Sequence, residues 1–116
     1  LSLSTRKRDA VFDRDGWLCV CCGLLKDLTI HHRVNRGMGG SKLVDSPAHL
    51  LTMCATCNTG FESQPDMAEL AKVFGYKLSK NATPPIDPTT VPVKYTSDGN
   101  WYLLDNQGKR KKITNG

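Results

Sequence analysis

Two Cys-x2-Cys pairs constrain this chain more than any other feature. Cys19 and Cys22 form the first, within C-V-C-C-G; Cys54 and Cys57 form the second, within C-A-T-C-N. Each pair at this spacing offers two sulfurs from one turn, and two pairs make a four-thiolate zinc site. Such a site has no open coordination position, so its ion folds the chain and does not catalyse. A chain of 116 residues builds a marginal core by itself, which makes a metal staple useful. Five cysteines is an odd number and fits metal better than a disulfide framework, so a reducing, cytoplasmic setting is expected. Cys21 has no partner at this spacing and reads as a spare small side chain.

The interval from Cys22 to Cys54 is longer than a plain zinc ribbon uses, and it carries His31 and His32. Leu28-Thr29-Ile30 is strand-like and continues into the two histidines. Neighbours on a strand face opposite sides, so both imidazoles serve one centre only if the strand ends or bends there, which the following glycine loop permits. Residues 36–40, R-G-M-G-G, are expected to be a loop whose glycines let backbone approach a ligand closely. Asn58 follows the last cysteine directly, on the first turn of an expected helix reaching Ser63. It is a polar residue near a helix start, or a carboxamide oxygen ligand for a second, open metal site.

Elsewhere the elements are short. Ser4 or Thr5 is expected to cap a helix that runs to Arg14 and stops at Asp15-Gly16. A second strand is expected from His49 to Met53, and a helix capped by Asp66 and closed by Gly75. A Pro-rich connector over 79–90 leads to a hairpin over 91–105, turning at Ser97-Asp98-Gly99-Asn100. The K-R-K-K run that follows is expected to fray. No run approaches the roughly 18 apolar residues of a membrane span, and the N-terminal residues hold no apolar signal core.

These motifs together resemble the HNH endonuclease family, a ββα-metal hairpin and helix built inside a treble-clef zinc site. The residues that carry the likeness are the stretch from Arg8 to Gly23, I-H-H-R at 30–33, R-G-M-G-G-S at 36–41, H-L-L-T-M-C at 49–54, and Cys57-Asn58. Phe61-Glu62-Ser63, Pro65, Gly75-Tyr76, residues 87–93 and residues 101–105 are similar to HNH proteins of tailed phages, often encoded beside the packaging terminase. The implied architecture is α+β: a zinc-stapled treble clef with the HNH core and an N-terminal helix over 1–78. Connector, hairpin and basic tail follow over 79–116, packed on the core or trailing it.

The resemblance implies roles by position. His32 would be the general base, and His31 and Asn58 the ligands of one catalytic divalent cation. Cys19, Cys22, Cys54 and Cys57 would hold the structural Zn2+. Oxygen donors suit Mg2+ or Mn2+, and His31 also accepts Ni2+ or Zn2+. Two positions depart from the family pattern: His49 stands where a loop-steadying Asn is usual, and Asn58 where the final His is usual. Arg33, Arg36 and Lys42 would hold phosphates beside the cut. The implied activity is hydrolysis of duplex DNA, as a nick or a double-strand break, leaving 5′-phosphate and 3′-hydroxyl ends. A homodimer is one way for a single small site to cut two strands. The alternatives are a decayed zinc-stapled DNA-binding module and an accessory protein that binds phage terminase or portal proteins. A net charge of +5, from 16 basic and 11 acidic residues, is compatible with a polyanionic partner.

Overall fold

The computed structural model describes residues 4–34, 45–79 and 81–113. The glycine loop, Arg36 and Lys42 lie outside the described residues. Ser4 caps α1 (Thr5–Arg14): its Oγ accepts from the Lys7 N–H, which would otherwise lack a helical partner. Val11 and Phe12 give the helix its buried side. The chain then reverses through Gly16 and Trp17, both at positive φ. Trp17 folds back on Phe12 at 4.9 Å between ring centroids, and its indole N–H donates to Asp13.

The sequence 28–54 makes an antiparallel pair, β1 (Leu28–His32) and β2 (Leu50–Cys54), in the register Leu28↔Cys54 to His32↔Leu50. The second strand starts one residue later than its composition suggests, because Pro47–His49 closes a 3-10 turn first. All five β2 residues are buried. The helix after the cysteine pair is α2 (Ala55–Ser63), with the Cys54 sulfur as N-cap, accepting from the Cys57 N–H. Next, α3 (Pro65–Val73) begins at Pro65, one residue before the expected cap. Proline lacks the N–H that a first helical residue cannot use, and Asp66 instead serves the first turn against the helix dipole. Gly75 ends this segment at φ +80°, and a Cβ there would sit 2.0 Å from the Pro92 carbonyl oxygen. Only glycine admits that approach.

The C-terminal residues form a second sheet in the order β3 (Val93–Tyr95), β4 (Asn100–Leu104), β5 (Arg110–Ile113). The basic run therefore does not fray, contrary to expectation: residues 110–113 pair with β4. Asp105 secures the turn by accepting from the N–H groups of Gln107 and Lys109. The Arg110 guanidinium stacks over Tyr95 and Tyr102, at 4.6 and 4.3 Å from their centroids. Positive side chains also suit an open sheet edge, where they discourage pairing with other chains.

Among the described residues, three α-helices and two antiparallel sheets thus make an α+β domain. One apolar cluster joins Val20, Met53 and Phe61 to Tyr95 and Leu104, so residues before and after position 78 share it. Among the described residues no helix is long and apolar enough to cross a membrane.

Two buried arginines tie the layers together. Arg14 donates to both Asp15 carboxylate oxygens and to the carbonyls of Pro47 and Leu50. Asp15 also accepts from the Thr52 N–H and the Tyr95 hydroxyl, linking α1, β2 and β3. Arg33 was expected at the DNA surface, and the structure corrects this: it is fully buried. Its guanidinium donates to the carbonyls of Gly75, Ala48, Pro88 and Val91 at 2.8 to 3.0 Å. Burial lowers its pKa to about 10, which leaves it charged at neutral pH. The planar fork reaches four acceptors spread over three nitrogens, which an ammonium group with three donors on one nitrogen cannot match. Arg33→Lys should therefore strand buried carbonyls and lower unfolding free energy by about 2–4 kcal/mol in urea titration. A loss below about 0.5 kcal/mol would show that the fork is not what holds these segments.

Candidate functional site

The four paired cysteines converge. Their sulfurs all lie within 4.8 Å of one another, with Cys22 and Cys54 at 3.7 Å. A tetrahedral ion with zinc–sulfur bonds of about 2.3 Å sets its sulfurs about 3.8 Å apart, so the spacing could hold such a metal. The backbone is arranged for charged sulfur: the Cys22 N–H points at Cys19 Sγ and the Cys57 N–H at Cys54 Sγ. Burial pushes the Cys57 thiol pKa up, and the neighbouring sulfurs oppose another negative charge. Joint ionisation of the cluster needs a cation among the sulfurs. Cys21 stands outside the cluster and packs against the apolar core, where burial raises its thiol to about 11. Gly23, at φ +79°, lets the first turn close on itself.

The cluster fixes where α2 starts, and α2 carries Asn58 to β1. The Asn58 Nδ2 donates to Thr29 Oγ1 at 2.9 Å and to the Ile30 carbonyl at 3.3 Å. Thr29 Oγ1 in turn donates to the Met53 carbonyl, so its lone pair is what Asn58 meets. The amide orientation follows: Oδ1 faces His31 Nδ1, 3.0 Å away. On the other side of the ring, Nε2–H donates to the Tyr76 carbonyl at 2.7 Å. A carbonyl has no proton to give, so this contact places the single hydrogen of a neutral ring on Nε2. Nδ1 and Oδ1 then present lone pairs to each other. Two converging lone pairs at this distance repel unless a proton or a cation lies between them.

The surroundings favour the neutral ring. His31 is 1 % exposed. Burial lowers its pKa; the Asn58 and Tyr76 contacts act the other way, and the charges of Glu62 and Lys77 act in opposite directions. Phe61 meets the ring edge-on at 6.0 Å between centroids, and itself packs on Tyr76 at 5.5 Å.

His32 takes different partners. Its Nε2–H donates to Asp45 Oδ1 at 3.0 Å, and the Asp45 side chain is 9 % exposed against 22 % for His32. β1 ends at His32, as a shared role for adjacent histidines requires. His49 shares a hydrogen bond of 2.7 Å between Nδ1 and Ser46 Oγ. Its backbone carbonyl accepts from the Arg33 N–H. Burial, then the Arg33 charge, lowers the His49 pKa. It therefore braces the turn that follows Asp45.

The structure thus brings together the four cysteines, and separately His31 with Asn58. It moves Arg33 to the interior. Asp45 and the Tyr76 carbonyl were not identified from sequence. A backbone acceptor has no side-chain signature, and nothing in the spacing of Asp45 ties it to His32. No family model matches the chain, and no curated protein or solved structure is significantly similar to it.

Because thiolate ligation and folding are coupled, Cys54→Ser should release a metal held by the four sulfurs and abolish the cooperative thermal transition. Metal analysis after gel filtration and calorimetry read this together. A variant that melts like the parent would show that the sulfur cluster is not a structural site.

Proposed function

We propose that this chain is a metal-dependent endonuclease of the HNH type, acting on duplex DNA, with a treble-clef zinc site as its staple. The observation that carries the reading is the facing pair of lone pairs on His31 Nδ1 and Asn58 Oδ1. An imidazole whose far nitrogen is committed to a carbonyl, opposite an amide whose nitrogen is committed elsewhere, is suited to a divalent cation. Nitrogen with neutral oxygen donors fits Mn2+, Mg2+, Ni2+ or Zn2+. When bound, such an ion would polarise a phosphodiester and offset charge on the departing 3′ oxygen.

The chain's own residues supply the rest. The Asp45 carboxylate accepts from His32 Nε2–H and so orients the ring. His32 takes the proton of the attacking water, and Asp45 offsets the imidazolium charge that results. Asp45 is a positioning residue, since it acts through His32. His49 holds the 46–49 turn that presents Asp45, which gives the unusual imidazole at that position a mechanical role. His31 and Asn58 keep their lone pairs aligned through Tyr76, Thr29 and Ile30, without help from substrate. The exposed positive charges of Arg6 and Arg8 on α1 and of β5 favour a polyanion.

Supercoiled plasmid with Mg2+, Mn2+, Ni2+ or Zn2+ tests this. The parent should nick or linearise it with at least one ion. His32→Ala should lower the rate at least about a hundredfold with thermal stability within a degree or so of the parent. Asp45→Asn keeps shape but loses the charge, and should lower kcat more than it raises KM. Plasmid that is retarded on a gel yet stays supercoiled with every ion would establish a DNA-binding module instead.

A further inference from the structure

Two charged groups, Glu62 and Lys77, lie close enough to act on the His31 ring. Glu62 lies one helical turn beyond Asn58 on α2, so both occupy the same helix face. Lys77 follows Tyr76, whose carbonyl fixes the His31 ring. Their side chains meet across the gap, with Lys77 Nζ 3.6 Å from Glu62 Oε2. Lys77 is 23 % exposed and Glu62 46 %. The pair therefore spans α2 and the Tyr76 segment, at the two elements that hold the His31–Asn58 lone pairs. The charges of both reach the His31 ring with opposite effect.

We propose that Lys77 is the phosphate-binding cation of this site and that Glu62 is its resting counter-ion. The proposal rests on the phosphodiester reading above. A buried imidazole and a neutral amide bring no fixed positive charge of their own to a phosphate oxygen, and among the described residues Lys77 is a cation whose charge acts on the His31 ring. The arginine nearest in sequence, Arg33, is committed to four carbonyls. Lys77 is the cation placed beside the ligand pair by the same backbone that orients His31. An ammonium group is a point charge that moves between partners at little cost, unlike a bidentate guanidinium. A half-exposed ion pair contributes little stability, so phosphate displaces the carboxylate readily. In the resting protein Glu62 keeps Lys77 folded over the site; with DNA bound, the phosphate oxygen accepts from Nζ and Glu62 turns to solvent.

The two partners make opposite predictions, which separates this from a merely structural bridge. Binding of a fluorescein-labelled duplex, without added divalent ion, is measured as a function of salt for the parent, Lys77→Met, Lys77→Arg and Glu62→Gln. Lys77→Met should weaken binding about ten- to hundredfold. It should also reduce the slope of log K against log salt by about 0.9, the value for one phosphate contact. Lys77→Arg should restore most of the affinity. Glu62→Gln should tighten binding severalfold, because it frees the ammonium. If both partners' loss weakens binding alike, or neither changes it, the proposal is overturned. A higher divalent-ion requirement for nicking by Glu62→Gln would overturn it too, by making Glu62 a metal ligand. Opposite shifts in a parent protein that never cuts plasmid would sink the endonuclease reading and leave this one standing. Unchanged binding in variants of a parent that does cut would do the reverse.

Discussion

The sulfur cluster is the constraint on which the site depends. It joins the turn after α1 to the junction between β2 and α2, segments far apart in sequence. Its Cys54 is at once the last residue of β2 and the N-cap of α2. A strand and a helix that meet at one fixed residue have little freedom in their relative angle. That angle decides whether Asn58, one turn into α2, reaches β1. Without the clamp, a nine-residue helix would be marginal, held to the hairpin only through hydrogen bonds such as Ala55 N–H to the Asp27 carbonyl and Asn58 to Thr29 and Ile30.

Beyond the clamp, the interior is organised by polar groups as much as by apolar ones. Arg14 with Asp15 joins α1 to β2 and β3, and Arg33 gathers the carbonyls of three separate segments. Each is costly to bury and costly to orphan, so each permits only one arrangement of its neighbours. The same logic runs down to the site. Tyr76 and Thr29 commit one side of His31 and of Asn58, and what remains are two lone pairs aimed at one point. A pair so arranged is suited to a cation, and its supporting bonds come from the Tyr76 and Ile30 carbonyls and from the Thr29 hydroxyl, itself tied to the Met53 carbonyl. The C-terminal sheet contributes through Gly75, whose closeness to Pro92 brings the Tyr76 segment under the hairpin.

Much of this was legible in the sequence, for physical reasons. The cysteine pairs have a spacing that few alternatives use, and they meet in space. Alternation and capping residues gave α1, β1 and α2 to within a residue, because the local signals and the packing agree there. The start of α3 was misread at Asp66 because a proline's preference for the first helical position outweighs an acidic cap. The basic run at 109–112 looked like a solvated tail. Its pairing with β4 is set by the Asp105 turn and by two tyrosines that Arg110 covers, both nonlocal. Arg33 was misplaced for the same reason: its next-door histidines suggest a surface, while its partners are carbonyls as far away as Val91. His31 and Asn58 were paired by motif alone. The orientation of their lone pairs came only from the hydrogen bonds around them.

The proposed function requires those two lone pairs to receive a divalent cation distinct from the one the sulfurs could hold. Anomalous diffraction from crystals soaked in Mn2+, recorded either side of the manganese edge, addresses it directly. A manganese peak is expected within bonding distance of both His31 Nδ1 and Asn58 Oδ1, separate from any metal at the cysteines. Manganese confined to other positions, with the imidazole and amide unchanged and nothing between them, would contradict it.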